Sequence, residues 1–190
     1  SFGTEQTMYT LCQKAHEKGI KIMLDFVFNH CGTKFAPWLD VLENGEKSKY
    51  KDWFMINNWP VEQPGKDTRD GRFYSFAFSP IMPKHNTNHP EVIAYFCDVC
   101  KYWIRRYKID GLRFDVANEV SHAFLRKIRQ VAKQENPEIY LLGEIWHDAS
   151  AWLRGDQFDA VMHYPLLEAL SDFWTDASMT KRDFAHALNR

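Results

Sequence analysis

No apolar run in this sequence reaches the roughly 20 residues that a helix needs to span a bilayer. An excess of one charge is also missing: 24 Lys and Arg stand against 25 Asp and Glu, a formal net charge of −1. That balance gives no electrostatic reason to expect nucleic acid or an anionic membrane as partner, and a neutral substrate fits it better. Cysteine is sparse, with four residues, Cys12, Cys31, Cys97 and Cys100. Only the last two are close in sequence; they fall inside a helical pattern, and no second pair completes a zinc site. They read as buried thiols, which suits a reducing compartment, so the expected location is cytoplasmic. The nine glycines fall singly and read as turn residues, with no phosphate-cradling cluster among them. Internal repeats and low-complexity tracts are absent as well.

What the chain does have is a set of short apolar runs ending in polar groups. The most informative is Tyr107-Lys108-Ile109-Asp110-Gly111-Leu112-Arg113-Phe114-Asp115-Val116-Ala117-Asn118-Glu119. In an extended strand, positions i and i+2 face the same way. Arg113 and Asp115 therefore share one face, and Leu112, Phe114 and Val116 share the other. A neighbouring cation keeps a carboxylate ionised, which suits either a nucleophile or a structural ion pair. Two further runs, 20–30 and 139–146, are too short and too β-rich for helices. Helical patterning fills 88–107, where Asn86, Thr87 or Asn88 can cap and Pro90 opens the first turn, and also 121–135. The order strand, long insertion, helix, strand, helix, strand implies an α/β fold with a parallel sheet. In a parallel barrel the C-terminal strand ends converge on one mouth, where reactive residues read as catalytic. Asp115 and Glu144 would then lie on adjacent strands. An initial helix is expected over 4–18, capped by Thr4 with Thr7, stopped at Gly19, and burying Met8, Leu11, Cys12 and Ala15. A last strand at 158–165 is closed by Pro165, and further helices follow.

Asp25-Phe26-Val27-Phe28-Asn29-His30, Gly111-Leu112-Arg113-Phe114-Asp115 and Gly143-Glu144-Ile145-Trp146 resemble the first three of the four signature regions of the α-amylase superfamily. Val116-Ala117-Asn118-Glu119, with Met82-Pro83-Lys84 and Asn86-Thr87, is most similar to its neopullulanase, cyclomaltodextrinase and maltogenic amylase group. Three motifs in the right order, with suitable spacings, make the match specific. The resemblance implies part of a (β/α)8 TIM barrel, about strands 3 to 6, with a domain-B-like excursion at 31–85 after strand 3. A complete barrel takes roughly 250 residues, and the fourth signature region is expected beyond Arg190. Ser1-Phe2-Gly3-Thr4 resembles the loop after a second strand. The chain thus reads as a fragment of a catalytic domain.

The implied activity is retaining hydrolysis, with transglycosylation, of α-1,4 bonds in maltooligosaccharides, cyclodextrins or pullulan, and the motifs leave α-1,6 bonds open as a second target. On that resemblance Asp115 is the nucleophile and Glu144 the acid and later the base. Flanked by Ile145 and Trp146, Glu144 is expected in an apolar setting that raises its carboxyl pKa. Asp25, Arg113 and Asp115 are expected to form a largely buried hydrogen-bonded chain. His30 is implied as a ligand of sugar hydroxyls, while Asn118 and Glu119 flank the leaving-group side. Trp146 either stacks on glucose or packs, and His163 and Tyr164 are weaker candidates. Some relatives use the Asn29 position for structural calcium, but no cluster of acidic oxygen ligands accompanies it, so neither metal nor cofactor is expected. Aromatics make up 15% of the chain; those of the excursion, from Trp38 to Phe78, are expected mostly to pack. A homodimer is expected only of the full-length parent, through an N-terminal domain. The competing readings are a non-catalytic carbohydrate-binding or transporter-associated relative and an unrelated metal-dependent barrel.

Overall fold

The computed structural model describes residues 3–61, 67–176 and 178–188. Its centre is one parallel sheet with strands in chain order: β1 (Met23–Phe26), β2 (Gly111–Phe114), β3 (Tyr140–Gly143) and β4 (Ala160–Val161). Helix α1 (Glu5–Glu17) precedes β1, and α2 (Ala36–Asn44) lies in the insertion. Helix α3 (Pro90–Tyr107) leads into β2, α4 (His122–Glu135) into β3, and α5 (Tyr164–Thr175) and α6 (Lys181–Ala187) follow β4. This is the expected alternation, with strands shorter than the apolar runs that signal them. The run at 158–165 yields a strand at only two positions, and Pro165 opens α5 instead of closing the strand.

Burial follows the helical period. Val92, Phe96, Cys97, Cys100 and Ile104 form the inner stripe of α3, and Phe124, Leu125, Ile128, Val131 and Ala132 that of α4. Both stripes cover the face of the sheet carrying Leu112, Phe114 and Leu141, all buried. Phe28 anchors this layer, its ring centroid 4.3 Å from Phe96 and 5.8 Å from Phe124. The thiols of Cys97 and Cys100 are buried, as expected, and burial pushes both pKa values up.

Three local expectations change. Thr4 and Thr7 do form a capping box on α1, but Leu11 is exposed because it lies off the Cys12–Ala15 stripe. None of Asn86, Thr87 and Asn88 caps α3; His89 takes the cap position without a side-chain bond. The Thr87 hydroxyl instead accepts from the Ser121 N–H at 3.0 Å, tying the start of α3 to the start of α4. Gly111 and Gly143 are strand residues, not turn residues. A Cβ at Gly111 would fall 2.7 Å from Met23, and one at Gly143 would fall 2.5 Å from the Phe158 ring.

Between β1 and α3 the insertion is held by isolated antiparallel bridges, His30 to Lys84, Phe54 to His85, Ile56 to Phe73 and Ser75 to Pro83. Trp38, Trp53, Phe54 and Phe73 are buried in its core, while Tyr74 and Phe78 are exposed. Among the described residues no helix is long and apolar enough to cross a membrane.

Candidate active site

Parallel pairing sets the site. Asp25 of β1 lies opposite Arg113 of β2, and Arg113 lies opposite Leu142 of β3, two residues before Glu144. The Arg113 guanidinium reaches three carboxylates. Its Nη1 donates to Asp25 Oδ1 at 2.7 Å and to Asp115 Oδ1 at 2.8 Å, and Nη2 lies 2.9 Å from Glu144 Oε2. Burial acts against the guanidinium charge, but the bonds to Asp25 and Asp115 outweigh it and push the Arg113 pKa up. The proposed chain from Asp25 through Arg113 to Asp115 exists, with one correction. Asp25 is not buried; its side chain is 56% exposed, against 21% for Asp115.

Beyond Asp115 the backbone turns sharply. Val116 has a left-handed conformation, φ 48° and ψ 42°, a strained choice for a β-branched residue. The turn aims two successive N–H groups at one residue: Val116 donates to Glu144 Oε2 at 3.0 Å and Ala117 donates to the Glu144 carbonyl at 3.1 Å. The Tyr164 hydroxyl completes the set, donating to Glu144 Oε1 at 2.8 Å. These donors reverse the expectation for Glu144. Burial alone pushes its carboxyl up, but the Val116 N–H, Tyr164, Trp146 and Arg113 outweigh that and hold it below the ordinary carboxylate range. The flanking apolar residues are present; the donors converging on the carboxylate are not visible in a linear reading.

A second cluster joins the end of β1 to the insertion. Asn29 is fully buried, and its Oδ1 accepts from Lys84 Nζ at 2.6 Å. Lys84 also reaches Glu119 Oε2 at 2.7 Å and the Glu119 carbonyl at 3.3 Å. His30 stacks on Phe76, with centroids 4.9 Å apart and rings 3° from parallel, and Phe76 in turn lies 6.3 Å from Trp146. Burial lowers the His30 pKa more than Asp115 and Glu119 raise it, so the ring is held neutral. Asn118 places its Oδ1 in the interior without a hydrogen-bond partner among the described residues. His163 stands apart: its Nδ1 accepts from the Leu166 N–H at 3.2 Å and caps α5, and the residue lines a separate cavity of about 650 Å³ with His147 and Asp148. Sequence reasoning does not mark Lys84 as a member of the site, places Phe76 among the insertion aromatics expected mostly to pack, and ranks Tyr164 low. Lys84 sat inside a quoted motif, and its contact with Asn29, 55 positions away, was the hidden part.

A parallel sheet whose C-terminal edge gathers an arginine-bridged group of carboxylates belongs to the class of barrel enzymes that work at their strand ends. The chain belongs to the α-amylase family, whose catalytic domain matches residues 1–188. It is 54% identical over 187 residues to a cyclomaltodextrinase of Geobacillus thermopakistaniensis, covering 98% of this chain and 31% of that protein. It is 46% identical over 188 residues to the intracellular maltogenic amylase of Bacillus subtilis, again covering 31% of the relative. A solved cyclomaltodextrinase structure superposes with a TM-score of 0.92 at 51% identity, over 98% of this chain and 32% of that one. The chain thus spans about a third of the length of these relatives.

Proposed function

We propose that the protein is a retaining α-glucan hydrolase acting on cyclodextrins and maltooligosaccharides, and that this chain supplies its nucleophile, Asp115, and its acid/base, Glu144. The observation that carries the reading is the single guanidinium of Arg113 in contact with both carboxylates. They come from neighbouring parallel strands, which lie about 4.8 Å apart, and retention calls for carboxyls about 5 to 5.5 Å apart. Arg113 aims Asp115 through their hydrogen bond. Glu144 must carry a proton when the glycosidic bond breaks. It gains one as substrate filling the cleft deepens its burial, which favours the protonated form. The neutral His30 then serves as a hydroxyl ligand, beside the mutually tilted rings of Phe76 and Trp146.

No metal enters this reading. The Asn29 oxygen is engaged by the Lys84 ammonium, a donor set that does not suit calcium, which takes six to eight oxygen ligands. The cytoplasm is the location we favour, supported by four free cysteines.

The test is sugar release from β-cyclodextrin, pullulan and starch by the full-length protein, alongside Asp115→Asn and Glu144→Gln. Each substitution is expected to reduce kcat at least about a thousandfold, with cyclodextrin preferred by the parent. Activity that survives both changes would remove the assignment.

A further inference from the structure

Behind the sugar-facing end of β1, the returning limb of the insertion brings His85 against two consecutive carbonyls. Its main-chain N–H donates to Asn29 O at 2.9 Å, and its ring Nδ1 lies 3.0 Å from Phe28 O. Because a carbonyl only accepts, Nδ1 must carry the proton and Nε2 must be a bare lone pair. The ring is 2% exposed and packed among Phe35, Phe54 and Phe96, with centroids at 5.6, 5.5 and 5.1 Å. Nε2 is buried with no partner among the described residues. The imidazole is thus a one-tautomer donor, and no group is placed to receive a second proton from it.

We infer that His85 is a positioning residue: its neutral Nδ1–H imidazole holds the Phe28 carbonyl while its main-chain N–H holds that of Asn29, and together they fix His30, the next residue, for substrate. A leucine of similar volume would pack among the same rings but leave the Phe28 carbonyl without this donor. The ionisable neighbours are His30 and Cys31 from the β1 end, Lys84 from its own segment and Tyr95 from α3; the Phe35 and Phe54 segments present rings. His30 and Lys84 both oppose a charge on His85, and burial, the largest influence, takes its pKa down to about 4 from 6.5. Because the folded pKa is depressed, the stability contributed by the neutral ring is full above pH 6.5 and falls as the pH drops towards 4, while in the folded protein the Nδ1–H bond to Phe28 is kept down to about pH 4.

The activity arm of the test rests on the proposed α-glucan hydrolysis; the spectroscopic arm does not. In the full-length protein, His85→Leu should raise KM for β-cyclodextrin about tenfold at about pH 7.5 with kcat within about threefold, the split expected when a binding group is loosened. His85→Asn, whose Nδ2 can reach the Phe28 carbonyl, should restore KM to within about threefold and lessen the loss of stability between about pH 6.5 and 4. Histidine 15N NMR of the parent should show His85 as the Nδ1–H tautomer down to about pH 5. A parental KM in the folded leucine variant, no rescue by asparagine, or an Nε2–H tautomer would each overturn the inference. If the parent hydrolyses no α-glucan, the proposed function fails and the tautomer alone decides: Nδ1–H supports the clamp and Nε2–H removes it.

Discussion

Glu144 makes the sharpest demand of any single residue. Three kinds of donor, a backbone N–H, a phenol and a guanidinium, favour its anion, whereas an acid catalyst must bind a proton. Tyr164 is the donor most easily removed, because phenylalanine keeps the ring and loses only the hydroxyl. The sign of the effect is fixed. Removing a bond to the anion raises the Glu144 pKa, and an acid is active only below its pKa. Tyr164→Phe should therefore move the alkaline limb of kcat/KM to higher pH, measured as a full profile on β-cyclodextrin; a limb moving to lower pH would contradict the role given to Tyr164. Asp25 is the opposite case. Its carboxylate completes the Arg113 network but is largely exposed, so Asp25→Ala should lower turnover by tenfold or more while shifting thermal stability by less than about 1 kcal/mol. Joint loss of both quantities, as a buried chain would give, is not expected.

Among the elements, the loop from β1 to α3 joins the sheet through a shared aromatic core, backbone bridges and polar contacts, and Lys84 makes three of the last. Lys84→Met would strip the only side-chain donor from the buried Asn29 oxygen among the described contacts, a loss of about 1–3 kcal/mol. A denaturant midpoint lowered to match, with an unchanged slope, is the expected measurement. The strand elements were legible because short, β-rich apolar runs carry Asp25, Arg113, Asp115 and Glu144 at or near their C-terminal ends. The long helices were legible from period alone. Elements set by backbone geometry were not. The left-handed turn at Val116 follows from no local propensity, since valine disfavours it, and the strand glycines were mistaken for turn residues because a linear reading does not show the Phe158 ring lying over Gly143. Gly143→Ala should test that contact, costing about 1–3 kcal/mol through overpacking.

For the whole molecule, the distinction is between what neighbours in sequence determine and what the sheet determines by bringing distant positions together. The carboxylate pair, its arginine and His30 were readable from motif order. The electrostatic state of Glu144, the partner of Asn29 and the capping role of His163 each depend on a residue that meets them only in three dimensions, or on a helix start. The same division shapes stability. Within this chain, which spans about a third of its relatives' length, strands β1 to β3 share one aromatic and aliphatic core with the insertion, α3 and α4, whereas α5 buries only Ala169 and α6 buries no residue. What joins these last two helices is largely the stack of Phe173 on Phe184, with centroids 4.6 Å apart, and α6 is otherwise held by its own Thr180–Asp183 capping box. Local opening costs little where little apolar surface is exposed by it. Native-state hydrogen exchange of this chain should therefore find the amides of α6 opening first, those of α5 next, and those of β2, α3 and α4 only with global unfolding, a gap of roughly 2 kcal/mol or more. Phe184→Ala should speed exchange in α5 and α6 and leave β2 unchanged; equal acceleration everywhere would show that the two helices unfold with the core as one unit.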